Sequence, residues 1–234
     1  MSPTPKPDLV IPVRPGDFNE ELRFTLRSCE ANLDYGQVWI VGSKPNWLTN
    51  VNYLPGNARP HPKANCWANI LLACQHPDVT DQIIITNDDI IVTEPVEVET
   101  LFRGPLADHL RLRRVITGAS WWRESLTTTQ IMLQTLGYHH PVSYELHVPF
   151  PCDKQAMRET LERFNHITPE NPPQWRTLHG NLHQIGGKQA ADGKAYRPGP
   201  INTPYHSTED AGFRHFQRQL ADMFPNPSRY EQQV

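Results

Sequence analysis

The segment Gln82 to Asp89, QIIITNDD, constrains the fold more than any other part of this chain. Ile83, Ile84 and Ile85 are β-branched, and a short unbroken apolar run of this kind reads as a strand covered on both faces. Such a strand belongs inside a parallel sheet with helices on either side. Directly after it stand an amide and two carboxylates, Asn87, Asp88 and Asp89. They put negative charge at the carboxyl edge of the sheet, where open α/β sheets bind ligands. Adjacent carboxylates repel and need compensation, which a hard divalent cation that also holds phosphate oxygens supplies. An Asp-rich turn into Ile90-Ile91-Val92 is the alternative reading of the same residues.

The neighbouring signals alternate between strand and helix. Asp8 to Val13 reads as a buried strand, and Asn19 to Leu33 as a helix with Leu22, Leu26, Cys29 and Leu33 on one face and Asn19 as N-cap. Gln37 to Val41 is a second strand and Tyr53-Leu54 a very short third. Asn65 to Cys74 has helical spacing and is stopped by His76-Pro77. This order predicts an α/β fold with a mostly parallel sheet. In the second half, Glu97 to Val115 is expected to be helical in two pieces broken at Gly104-Pro105. Thr127 to Leu136 and Asp153 to Phe164 are expected helices, Val142 to Val148 a strand, Ala211 to Phe224 a terminal helix and Pro225 to Val234 a polar tail.

With 234 residues the chain suits one domain (1–234): a nucleotide-binding half at 8–95, an acceptor and catalytic half at 96–224, then the tail. The 23 prolines predict long irregular stretches, and a net charge of -3 excludes a generic nucleic-acid coat. Cys29, Cys66, Cys74 and Cys152 have no metal-ligand spacing and read as reduced thiols of a cytoplasmic protein. No signal peptide, lipid anchor, membrane-spanning run or protein-partner motif is expected from the sequence.

Four blocks carry a resemblance: DLVIPVRPGDFNEELRFTLRS, QVWIVGSKPNWL, the strand ending NDDIIV, and SYELHVPFPCDK. In order and spacing they resemble small glycosyltransferase-like proteins of actinobacterial phages and, more distantly, the Stealth family of sugar-phosphate transferases. The resemblance covers most of residues 8 to 190. It implies a GT-A-like (Rossmann-like) core with a helical C-terminal portion, a nucleotide-sugar donor (a UDP-sugar first), a divalent metal (Mn²⁺ or Mg²⁺), and the host cytoplasm as location.

Within that frame Asp89 is the first candidate for the metal and Asp88 the second, with Asn87 lowering the charge count. Arg14, beyond the first strand, is placed to clamp the nucleotide. Arg23, pointing at the donor, is the family's implication; an exposed helix face shared with Arg27, Glu20 and Glu30 is the plainer reading. Lys63 and Asn65 begin a helix whose main-chain N–H groups favour anions, although Asn65 also suits a cap. Glu145 and His147, two apart on the predicted strand, face one side. Glu145 is a candidate base, and His147 a candidate metal ligand or base. The resemblance assigns Arg176 to the leaving diphosphate. His179 and His183 lack the Glu of a zinc motif and read as structural, as Asp153 does as an N-cap.

A basic stretch, Arg103 to Arg123, contains Arg111, Arg113, Arg114 and Arg123 beside Trp121 and Trp122. Arginines next to aromatics suit single strands or flipped bases, and a solvated helix face is the plain alternative. The expectation is a metal-dependent transferase moving a sugar onto a hydroxyl, with hydroxymethylated pyrimidine in phage DNA as first acceptor. Sugar-1-phosphate transfer to a carbohydrate is one alternative, and a non-catalytic nucleotide- or DNA-binding module is another.

Overall fold

Helix and strand alternate through the first half as the apolar pattern dictates: β1 (Asp8–Val13), α1 (Glu20–Asn32), β2 (Val38–Gly42), β3 (Asn52–Pro55), α2 (Pro62–Gln75), β4 (Gln82–Ile85) and β5 (Ile90–Val92). Shorter elements follow: β6 (Leu101–Phe102), β7 (Gly104–Pro105), α3 (Leu106–Leu110), α4 (Arg113–Thr117), α5 (Ser120–Thr135) and β8 (Val142–Ser143). The chain ends through β9 (Phe150–Asp153), α6 (Lys154–Phe164), α7 (Trp175–Leu182), β10 (Lys188–Gln189), β11 (Tyr205–Ser207), α8 (Asp210–Phe213) and α9 (Gln217–Met223). This computed structural model describes residues 5–232 apart from 17, 57, 58, 60, 168, 169 and 209.

The main sheet has the order β3-β2-β1-β4-β9, parallel except for the antiparallel edge strand β9. Alternation along the central strands builds two cores. Leu9, Ile11, Val13 and Ile84 pack with Leu22, Leu26 and Cys29 of α1, while Val10, Ile83 and Ile85 pack with Trp67 and Ile70 of α2 and Met157 and Leu161 of α6. Both faces of β1 and β4 are therefore covered, which is why their sequences are apolar without a break. Asp8 is the buried exception. Its carboxylate accepts from Gln37 N at 2.8 Å, Trp39 Nε1 at 2.8 Å and Thr80 N at 3.2 Å, so its burial is fully answered.

From β1 the chain runs outward through β2 to β3, then returns to place β4 on the other side of β1. The strand order reverses between β1 and β4, and a crevice at such a switch point is the ligand site of open α/β sheets. The structure is thus an α/β fold with a mixed, mostly parallel sheet, compatible with a Rossmann-like arrangement. No helix among the described residues is long and apolar enough to cross a membrane.

Several second-half expectations are corrected. Residues 97–115 are not two helical pieces. They run through β6 and β7 before α3 and α4, because Gly104 takes a φ of 140° and Pro105 has no N–H to continue a helix. The expected strand Val142 to Val148 pairs only over Val142–Ser143. Beyond it, the carbonyls of Leu146 and Val148 accept from Arg176 Nη1 at 2.8 and 2.7 Å, taking the place of ladder partners. The terminal helix divides into α8 and α9 through four-residue turns at Gly212–His215 and Phe213–Phe216.

The tail, of which 233 and 234 lie outside the described residues, is packed against the body. Tyr230 joins the α1-side core, and Glu231 binds Arg27 (2.7 Å) and Arg23 (2.9 Å). Burial opposes the charge on Glu231, but hydrogen bonds from Arg27, the Ser228 main chain and Arg23 bring its pKa down to about 2. A depressed carboxylate contributes stability above its unfolded value, and that stability is lost as pH falls through the folded one. Glu231→Gln is expected to lower the unfolding free energy at pH 7 by about 2–4 kcal/mol, since it leaves two arginines short of their anion. In urea titrations the gap between variant and parent should close as pH falls from 4.5 towards 2; coincident midpoints at pH 7 would contradict the clasp.

Candidate functional site

The loops leaving β1 and β4 form the floor of a cleft of about 610 Å³ lined by Arg14, Glu21, Asn65, Asn87, Asp88 and Asp89 and closed by Trp121, Lys194 and Thr208. Two further clefts adjoin it. One, of about 240 Å³, shares Asn87 and Trp121 and holds Lys63, Glu145, His147 and Arg176. The other, of about 330 Å³, shares Lys194, Trp121, Glu145 and His147 and adds Arg103, Arg114, Asp192 and Tyr196.

Each side chain is held for a local reason. Asn19 takes a φ of 24° as N-cap of α1; its Oδ1 accepts from Leu22 N at 3.1 Å and its Nδ2 donates to Asp88 Oδ2 at 2.6 Å. Thr25 fixes the Asp88 carbonyl at 2.9 Å, so α1 sets the shape of the loop after β4. The charge problem posed by the paired acids has a protein solution. Lys194 Nζ lies 3.1 Å from Asp89 Oδ2, Ser207 Oγ donates to the same oxygen at 2.7 Å, and Lys194 also donates to the Thr208 carbonyl. Burial works against the charge on Asp89, yet Lys194, His147 and Ser207 keep its pKa below the usual value. Burial together with the Asp89 charge outweighs the bond from Asn19 and the charge of Arg14 and pushes Asp88 up to about 6.

The second half supplies the other wall. His147 is anchored by Asp192, whose Oδ1 accepts from the His147 main-chain N–H at 2.9 Å and lies 2.9 Å from its Nδ1. Asp192 Oδ2 meets Arg103 Nη2 at 2.5 Å and lies 3.8 Å from Arg114. Glu145 is tied by Oε1 to Thr177 N (3.2 Å) and Oγ1 (3.0 Å) in the first turn of α7. Lys63 Nζ sits 4.5 Å from the Trp122 ring centroid and 3.3 Å from Ser125 Oγ, and burial brings its pKa down to about 8. His109, hydrogen-bonded to Ser143 at 2.8 Å, is pushed down to about 3 by burial and by Arg103 and Arg114, and is neutral.

Of the residues singled out in the sequence, Arg14, Lys63, Asn65, Asp88, Asp89, Arg114, Trp121, Trp122, Glu145, His147 and Arg176 line these clefts. Arg23 is placed elsewhere, and Arg176 and Asn65 also carry local structural bonds. Arg23 lies over the Trp47 ring at 4.1 Å and pairs with Glu20 and Glu231, turned to the C-terminal tail. Arg176 is 4% exposed and braces the 144–148 segment through its carbonyl bonds. His61 is the N-cap of α2, and Asn65 Oδ1 accepts from Arg59 N. Arg111, Arg113 and Arg123 are exposed and line none of the three clefts, whereas Arg103, His109, Arg114 and the two tryptophans of the basic stretch reach them. His183 Nε2 lies 3.0 Å from Thr160 Oγ1 between α6 and α7, a structural contact.

Sequence reasoning missed Asp192, Lys194 and Tyr196. They lie in a polar, irregular stretch where neither helical nor strand periodicity marks a site, and Asp192-Gly193 reads only as a turn.

Asp89 and His147, the residues first considered for a cation, both have protein partners. Asp89 is committed to Lys194 and Ser207 and His147 Nδ1 to Asp192, and no three His, Cys, Asp or Glu side chains among the described residues converge as a cation shell. A hard cation needs more free oxygen ligands than that. No protein family matches the chain, and no curated protein does.

Asp88→Asn is expected to stabilise the protein at neutral pH by roughly 1–2 kcal/mol, because the amide keeps the bond to Asn19 and removes a poorly compensated charge. A raised carboxylate pKa means stability is lost as pH climbs from 3.8 to 6. The melting-temperature difference should accordingly be absent at pH 3.5 and full by about pH 7; a destabilised variant at pH 7 would contradict this charge balance.

Proposed function

We propose that this protein is a GT-A-like glycosyltransferase that takes a nucleotide-activated sugar, a UDP-sugar in the first instance, and passes the sugar to a hydroxyl. The observation that carries this reading is the acid- and cation-lined cleft at the β1/β4 switch point, continuous with a second chamber containing Glu145 and His147. Arg14 and the N-terminal turn of α2 would meet the diphosphate. The fixed charge of Lys194 would offset negative charge building on the departing nucleotide, a preorganised electrostatic contribution that needs no rearrangement. The residues do not fit a metal shell, so no step is assigned to one.

The acceptor would enter the chamber walled by Trp121, Trp122 and Tyr196. These rings, with Arg114 5.3 Å from the Tyr196 centroid, suit a planar base and a neighbouring phosphate. Hydroxymethylated pyrimidine in DNA is therefore the acceptor we favour, in line with the phage-protein resemblance. Sugar-phosphate transfer would use the same cleft but break the bond at phosphorus.

The test is mass spectrometry of nucleosides from hydroxymethylated DNA incubated with pooled UDP- and GDP-sugars, once with Mn²⁺ and once with a chelator. A gain of one sugar without phosphorus is expected under both conditions, with Lys194 holding the place of a cation at Asp89. Arg114→Ala should reduce transfer to DNA about tenfold while Arg111→Ala leaves it within twofold, given typical costs for lost charge-assisted contacts. A gain that includes phosphorus would establish the alternative chemistry; no gain with any donor would overturn the DNA acceptor.

A further inference from the structure

The contact between Asp192 and His147 has the form of a carboxylate–imidazole dyad. Asp192 Oδ1 sits 2.9 Å from Nδ1 of the ring and 2.9 Å from the main-chain N of the same residue, so one oxygen fixes both the backbone and the ring. The other oxygen is held by Arg103 Nη2 at 2.5 Å, which leaves the carboxylate little freedom to rotate. Burial disfavours its charge, but the bond from His147 and the charges of His147 and Arg103 hold Asp192 well below the usual carboxylate range, so it is an acceptor at every working pH. An ionised carboxylate at Nδ1 requires a proton there and makes Nε2 the unprotonated nitrogen of the neutral ring. Nε2 has no protein partner among the described residues, and His147 lines both inner clefts.

The surrounding backbone is shaped for this contact. A Cβ on Gly193 would stand 2.8 Å from the His147 carbonyl and 2.9 Å from the Tyr205 carbonyl, so only glycine lets the strand of chain carrying Asp192 lie this close. Gly193 O accepts from Ser207 N at 2.9 Å and Ala195 N donates to Ser207 O at 2.8 Å, which clamps the segment to β11. The same few residues deliver Lys194 to Asp89, so one segment orients the ring and compensates the acid. Glu145, the other candidate base, already spends Oε1 on α7.

We propose that Asp192 is a positioning residue that holds His147 with Nδ1 protonated and Nε2 aimed into the cleft as the general base, an assignment that rests on the transferase reading above. In that step the acceptor oxygen forms its bond to the anomeric carbon while its proton passes to Nε2. The bond from that carbon to the diphosphate oxygen breaks, and the electron pair leaves with the nucleoside diphosphate. Asp192 balances the imidazolium until the proton passes to water.

Asp192→Asn, Asp192→Glu and His147→Gln would be compared with the parent for transfer from UDP-glucose to an oligonucleotide bearing one hydroxymethylcytosine. Proton NMR of the ¹⁵N-histidine-labelled proteins would follow the ring Nδ1–H, assigned by its loss in His147→Gln. For Asp192→Asn we expect kcat to fall about a hundredfold or more, donor KM to stay within threefold, and the ring proton to vanish; Asp192→Glu should recover part of kcat. Unchanged kcat, or a ring proton that persists in Asp192→Asn, would overturn the assignment. If the parent transfers no sugar, the base role fails with the transferase reading, while the ring proton still decides whether Asp192 sets the orientation of His147.

Discussion

Covering β1 and β4 on both faces leaves no room along their length for polar groups that are not internally satisfied. Asp8 is tolerated because three donors meet it at the start of β1. All other charge carried by this pair of strands is displaced to the loops that follow them, where Arg14 and the Asn87–Asp89 turn stand across the switch point from each other. A strand rule and a topological rule thus combine into a chemical one: the centre of the sheet must be apolar, its carboxyl edge must carry the polarity, and the order reversal opens a crevice there.

The crevice then has to be stable in its own right. Two adjacent carboxylates at the mouth of a partly dry cleft would repel, and the chain answers with a cation from 105 residues further on. Lys194 arrives on a segment that glycine allows to approach closely and that β11 holds in register. The same segment carries Asp192 to His147, so the upper wall is not an independent lid but part of the charge balance of the floor. Asp88 is the less compensated member, for burial and Asp89 outweigh the help of Asn19 and Arg14. A poorly satisfied acid at the base of a cleft is the kind of local instability that functional sites retain.

The first half was readable because its signals are strong and redundant. The Ile83–Ile85 run, the face of Leu22, Leu26 and Cys29, and the Asn19 cap each specify one local structure, and their order specifies the sheet. The second half was harder because its strands are only two to four residues long, too short for periodicity to mark them. Arg176 shows the difficulty. The resemblance implied a diphosphate contact, and no local pattern announced that its Nη1 also donates to the carbonyls of Leu146 and Val148. Arg23 was drawn away from the cleft by Glu231, a partner 208 residues distant that no local pattern announces. Glu145 and His147 reached the cleft although the strand expected to present them ends at Ser143, because the alternation of buried Tyr144, Leu146 and Val148 persists in irregular chain.

The central claim is that a nucleotide diphosphate binds at the β1/β4 switch point. Chemical-shift mapping with ¹⁵N-labelled protein and increasing UDP tests it most directly. The account predicts saturable shifts at Arg14, Asn65, the Asn87–Asp89 amides and Lys194, with Arg111 and Arg113 unmoved. Shifts confined to the exposed arginines of α4 and its approach, or no saturable shift at the strand ends, would contradict it.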